Sequence, residues 1–167
     1  MNHTTAASPS FVSTGATGLG NATYTTAATA AALQALTGGT AIADVTAAMT
    51  LTASTTSVHA IRVGNVAISG AFNINVGSGA SVSDGAGVIF GSTAAQTHAN
   101  NWIFGTGGNR EAVIYNSTAT FATTLSGTVN ATGLTKSVPG DLTLTGTNTG
   151  AGTTSLPADP EYYLDYV

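Results

Sequence analysis

The chain has 167 residues and a formal net charge of −4, from three Lys and Arg against seven Asp and Glu. Three basic side chains cannot neutralise a run of phosphates, which argues against nucleic-acid binding by counterion release and against adhesion to an anionic membrane surface. Cysteine is absent, so there are no disulfides or thiolate metal sites, and no window approaches the roughly 18 unbroken apolar residues of a membrane helix.

Residues 1–26 are mostly Thr, Ala, Ser and Gly, with Phe11, Val12, Leu19 and Tyr24 as the sizeable apolar groups. So little apolar surface cannot fold alone, and the segment is expected to be a flexible or neighbour-docked arm. Met1-Asn2-His3-Thr4 shows neither the positive region nor the apolar region of a secretory signal peptide. Ala27 to Leu36 is rich in helix formers and is followed by Gly38-Gly39, which predicts a short helical cap with Leu33 and Leu36 on its contact side.

From Ile42 onward the pattern becomes one of short strands. Met49 and Leu51, then His59, Ile61 and Val63 on one side, then Val66 and Ile68, and then Phe72, Ile74 and Val76 with Asn73 and Asn75 facing out, give successive period-2 sets. Val82, Val88 to Phe90, Trp102 to Phe104, Val113 to Tyr115, Phe121 to Leu125 and Val129 continue the series between Gly-rich turn signals. An all-β fold follows. Hairpin folds favour Asn-Gly turns, and this chain has no Asn-Gly dipeptide. Sparse charge and outward Asn, Thr and Ser suit stacked strands about 4.8 Å apart, where like charges would repel. A solenoid of about five coils after Met49 is therefore preferred to a sandwich, with 27–155 as the folded body.

Gly133 to Gly150 reads Gly-Leu-Thr-Lys-Ser-Val-Pro-Gly-Asp-Leu-Thr-Leu-Thr-Gly-Thr-Asn-Thr-Gly. Leu134, Leu142 and Leu144 point one way and Thr135, Thr143 and Thr145 the other, with a turn at Val138 to Asp141. Gly133, Leu134, Thr135, Lys136, Gly140, Leu142, Leu144, Gly146, Asn148 and Thr149 resemble the autotransporter-associated β-strand repeat. That resemblance implies a right-handed parallel β-solenoid from a bacterial surface or secreted protein, a scaffold that carries no chemistry of its own.

The tail, 156–167, holds Pro157, Asp159, Pro160, Glu161 and Asp165 and three tyrosines. It is expected to be extended, with its last six residues able to form an edge strand. Tyr162, Tyr163, Leu164 and Tyr166 are candidates for docking on a neighbouring copy, since tyrosine brings large area at low entropy cost.

No catalytic, cofactor or metal site is expected. His3, His59 and His98 have no second ligand at metal spacing, with His59 read as a core or rim residue and neither His3 nor His98 as a site. Gly77-Ser78-Gly79 and Gly85-Ala86-Gly87 lack the context of a dinucleotide site. The leading expectation is a non-enzymatic, extracellular or cell-surface subunit whose partner is itself, stacked head to tail into a filament. The alternative is an adhesive passenger fragment that presents Trp102, Asn109 and Arg110 to surface glycans. A polysaccharide lyase comes third, because such an enzyme needs a basic residue beside paired acids and the charges here are scattered.

Overall fold

The computed structural model describes residues 10–15, 18–37, 39–54, 57–78, 86–117, 121–137 and 140–149, together with the backbone of strands at 154–155 and 164–166. Strands dominate these residues. Ala30–Gln34 forms an α-helix and Thr106–Gly108 a single 3-10 turn. No helix among the described residues is long and apolar enough to cross a membrane.

A seven-stranded sheet takes its strands in chain order: Thr25–Ala27, Ile42–Val45, Ala60–Val63, Ala86–Phe90, Glu111–Asn116, Gly133–Ser137 and Thr154–Ser155. Every pairing in it is parallel. Two four-stranded sheets follow the same rule. One runs Ser57–Val58, Asn73–Val76, Asn101–Phe104, Val129–Asn130, and the other runs Gln96–His98, Thr123–Leu125, Leu142–Leu144, Leu164–Tyr166. Met49–Thr50 pairs with Ile68–Ser69, also parallel. Among the described residues the antiparallel exception is the hairpin of Val12–Gly15 with Gly18–Asn21. Parallel neighbours cannot be joined by a tight turn. From Ile42–Val45 onward the chain visits the other sheets between two strands of the long sheet and returns, whereas Thr25–Ala27 and Ile42–Val45 are joined through the helix.

The alternation of the strands sets what is buried. Ala43, Val45, Ile61, Val63, Val88, Phe90, Ala112, Ile114 and Leu134 from the long sheet share one core with Ile74, Val76, Trp102, Phe104, Leu125, Leu142 and Leu144 from the other two. The helix joins this core through Leu33, which is fully buried, with Leu36 packed beside it. Thr29 caps the helix, its hydroxyl accepting the Ala32 N–H at 3.1 Å, a bond that satisfies one of the donors a helix start leaves open.

Several sequence expectations shift. The long sheet starts at Thr25, inside the segment read as an arm, and Leu164–Tyr166 of the tail is a strand of this chain's own sheet, paired in register with Leu142–Leu144. Phe72 is exposed, because regular strand geometry begins one residue later at Asn73. His59 is exposed at the bend ahead of Ala60–Val63 and does not share the side of Ile61 and Val63. The break between Val58 and Ala60 resets the alternation there. Val82 lies outside the described residues.

Candidate functional site

The long sheet has a second, outward side, and it is not purely polar. Ile42, Ala60, Gly87 and Val113 form one row across successive strands, and Asp44, Arg62, Ile89 and Tyr115 form the next. Ala60 and Ile89 are buried although they alternate away from Ile61, Val88 and Phe90. The N-terminal segment lies over this side. A Cβ on Gly87 would come within 2.7 Å of the Phe11 ring, so the absence of a side chain at Gly87 is what lets Phe11 sit there. A cleft of about 280 Å³ is lined by Phe11, Val12, Ile42, His59, Ala60, Gly87 and Val113.

One ion pair pins the arm. Arg62 donates to Asp44 on the adjacent strand through both Nε (2.8 Å) and Nη2 (2.7 Å), and its guanidinium lies 4.0 Å from the centroid of the Tyr24 ring. The bidentate fork holds the guanidinium plane flat, the orientation that stacks best on an aromatic face. The Tyr24 hydroxyl in turn accepts the Phe11 N–H at 2.7 Å, and the Ala22 N–H donates to the Phe11 carbonyl at 2.9 Å. Tyr24→Phe keeps the stacking and removes that acceptor. Its expected effect is roughly tenfold faster hydrogen exchange at the Phe11 amide, the factor that corresponds to about 1 kcal/mol for one hydrogen bond, with the amides of Ile61 and Val63 unchanged. Unaltered exchange at Phe11 would mean that Tyr24 does not hold the arm.

Of the repeat-motif residues, Gly133, Leu134, Thr135 and Lys136 lie on Gly133–Ser137 of the long sheet, and Leu142 and Leu144 on Leu142–Leu144 of another. Leu134, Lys136, Gly140, Leu142 and Leu144 are buried, and Asn148 is exposed. Gly146 sits where a Cβ would meet the Gly127 carbonyl oxygen at 2.1 Å. Among the tail residues, Tyr162 and Tyr163 lie outside the described residues, and Leu164 and Tyr166 are in the edge strand already given.

The adhesive loop requires correction. Trp102 is fully buried between Phe90 and His98, and Arg110 is 7% exposed, which leaves Asn109 as the exposed member of the three. A side chain at the centre of the core offers nothing to a glycan. The strand Asn101–Phe104 alternates, and its parity sends Trp102 and Phe104 inward together.

His98 is the residue that sequence reasoning passed over. It is fully buried, and its Nδ1 accepts the Ile68 N–H at 3.2 Å. Its ring stands 5.0 Å from that of Phe90 and 6.1 Å from that of Trp102. Burial lowers its pKa to about 4. The imidazole is therefore neutral at pH 7 and replaces a backbone acceptor where the chain passes from one strand pair to the next. Its partners are one amide and two rings, a structural setting. Among the described residues, no three His, Asp or Glu groups are placed to hold a metal ion.

No protein-family model matches the chain, and neither curated proteins nor solved structures give a match.

Proposed function

We propose that the parallel sheets are the faces of a right-handed β-solenoid and that the chain is a structural, extracellular subunit stacking head to tail into a surface fibre. The observation that carries this reading is the order of the long sheet. Its seven strands follow one another in chain order, all parallel, from Thr25–Ala27 at one edge to Thr154–Ser155 at the other. Repeated parallel returns to the same sheet are the connectivity of a coil, and such crossovers are right-handed in roughly 98% of cases. The two end strands differ, so a contact between the last strand of one copy and the first of the next is heterologous and propagates without closing.

The outward side chains agree with a scaffold. Asn101 donates to Asn73 at 3.1 Å and accepts the Thr128 N–H at 3.0 Å, and Thr50 and Ser69 share a hydroxyl contact at 2.8 Å. These side chains are occupied with one another and with neighbouring backbone along the stack. The resemblance of Gly133 to Thr149 to the autotransporter-associated repeat supports export to the cell surface.

Negative-stain microscopy and sedimentation of the purified chain over a rising concentration series test the proposal. Filaments that lengthen with concentration are expected, each with one strand repeat of about 4.8 Å along its axis. Dispersed monomers at the highest concentration would overturn the assembly, and an equatorial rather than axial strand spacing would overturn the solenoid.

A further inference from the structure

Two polar side chains enter the core from neighbouring strands of the long sheet. Asn116 ends the strand Glu111–Asn116, and Lys136 lies on Gly133–Ser137. Both are fully buried. In the parallel register Lys136 stands opposite Ile114, so Asn116 is two residues further along and on the same inward side. Strand spacing and rise put the two Cα atoms about 8 Å apart, a gap that the four-carbon stem of lysine and the short arm of asparagine span together.

The rest of the corner completes a reactive arrangement. Asn116 Nδ2 donates to the Asp141 carbonyl at 2.8 Å, and the Thr123 N–H donates to the same carbonyl at 2.9 Å. This fixes the carboxamide, while Asn116 Oδ1 and the Thr123 hydroxyl are both buried without a hydrogen-bond partner among the described residues. Desolvation lowers the pKa of Lys136, and the charge of Asp141, an exposed residue, opposes that shift. A buried lysine with a lowered pKa is the usual form of an amine nucleophile.

We propose that Lys136 and Asn116 join in an intramolecular isopeptide bond that staples two strands of the long sheet. Nζ in its neutral form attacks Cγ of Asn116, and negative charge gathers on Oδ1. The Asp141 carboxylate takes one proton from Nζ and passes it to Nδ2. The Cγ–Nδ2 bond then breaks and ammonia leaves. One carbon–nitrogen bond forms and one breaks, with no oxidant, reductant or cofactor. In a fibre subunit such a bond would hold the strand pair against a pulling force, yet the chemistry stands whether or not copies assemble.

Mass spectrometry of the intact chain, with a tryptic map, decides it. The bonded protein is expected to weigh about 17 Da less than its sequence, the mass of one ammonia, and to resist cleavage after Lys136, so that residues 111–167 are recovered as one peptide. Lys136→Met and Asn116→Ala are each expected to restore the full mass expected for their sequences. A succinimide at Asn116 would also lose ammonia, but it would leave Lys136 cleavable and would persist in Lys136→Met. Full sequence mass in the wild type, or a deficit that survives Lys136→Met, overturns the bond. Asp141→Asn is expected to leave a substantial unbonded fraction, and complete bonding in that variant would overturn the proton relay.

Discussion

Acidification from pH 7 to pH 4 is expected to remove about 3 kcal/mol of stability through His98 alone, an order-of-magnitude figure from a folded-state pKa of about 4 against about 6.5 in the unfolded chain. The sign follows from which state binds the proton. Below pH 6.5 the unfolded chain takes up a proton on this imidazole while the folded protein does not, so each step down in pH favours unfolding. The contribution is fully present above pH 6.5, falls through the window from 6.5 to about 4, and is gone below it. The physical origin lies in the surroundings. Nδ1 already accepts the Ile68 N–H, and Phe90 and Trp102 flank the ring. Protonation would break that hydrogen bond and place a charge among aromatic side chains. Urea unfolding at pH 7 and pH 4.5 measures the loss. His98→Asn, whose Oδ1 can take the place of Nδ1 as acceptor for Ile68, is expected to be less stable at pH 7 and to lose markedly less between the two pH values. Equal pH dependence in wild type and variant would show that His98 is not held neutral in the core.

His98 also marks where the sequence stopped being readable. Periodicity identified the strands, because in most of them buried side chains alternate with less buried ones: Ile74 and Val76, Trp102 and Phe104, Leu134, Leu142 and Leu144 all face the core. The helix was legible from its run of helix formers ahead of Gly38-Gly39, with Leu33 as the contact. Polar residues obeying the same parity were overlooked. Lys136 follows Leu134 by two positions and must share its side, and Asn116 follows Ile114 in the same way. A lysine or an asparagine is ordinarily assigned to solvent because burial is unfavourable without a partner, and parity should have outweighed that habit. In Val113 to Tyr115 hydrophobicity alone does not say which side faces in; the pattern places Val113 and Tyr115 outward around Ile114, with Val113 beside the cleft that Phe11 helps to form. The pairing between strands was beyond reach for a different reason. Ile42 pairs with Ala60, Ala60 with Gly87, and Ala86 with Ala112, so the interval changes from one return to the next and no fixed repeat reveals which residues stack.

That hidden stacking gives the glycines at one corner a role that turn propensity does not suggest, and it yields a large expected effect for a single methyl group. Gly127 and Gly146 occupy the same corner on successive returns of the chain. A Cβ on Gly127 would lie 2.1 Å from the Asn100 carbonyl oxygen, and one on Gly146 would lie 2.1 Å from that of Gly127. Asn100, the preceding member, is fully buried and donates through Nδ2 to the Gly70 carbonyl at 2.7 Å. Gly70 itself has φ +100, and a Cβ there would meet the Leu51 carbonyl oxygen at 2.5 Å. The obstruction in each case is backbone that is itself tied into the next strand, through Ser126 N–H to the His98 carbonyl and Thr145 N–H to the Leu125 carbonyl. Such atoms cannot swing aside as a side-chain tip would. Gly127→Ala must therefore spread two successive strand layers or break the hydrogen bonds between them, and a loss of about 3 kcal/mol or more is expected, in the range reserved for strain and disrupted buried networks. Gly20→Ala is the matched control, since a Cβ there meets nothing within 4 Å. It should leave the urea midpoint within about 0.5 kcal/mol of wild type, because the substitution also restricts the unfolded chain. Gly146→Ala should resemble Gly127→Ala in sign. If Gly127→Ala and Gly20→Ala shift the midpoint equally, the corners are not stacked backbone to backbone, and the continuous column on which the proposed fibre depends does not exist.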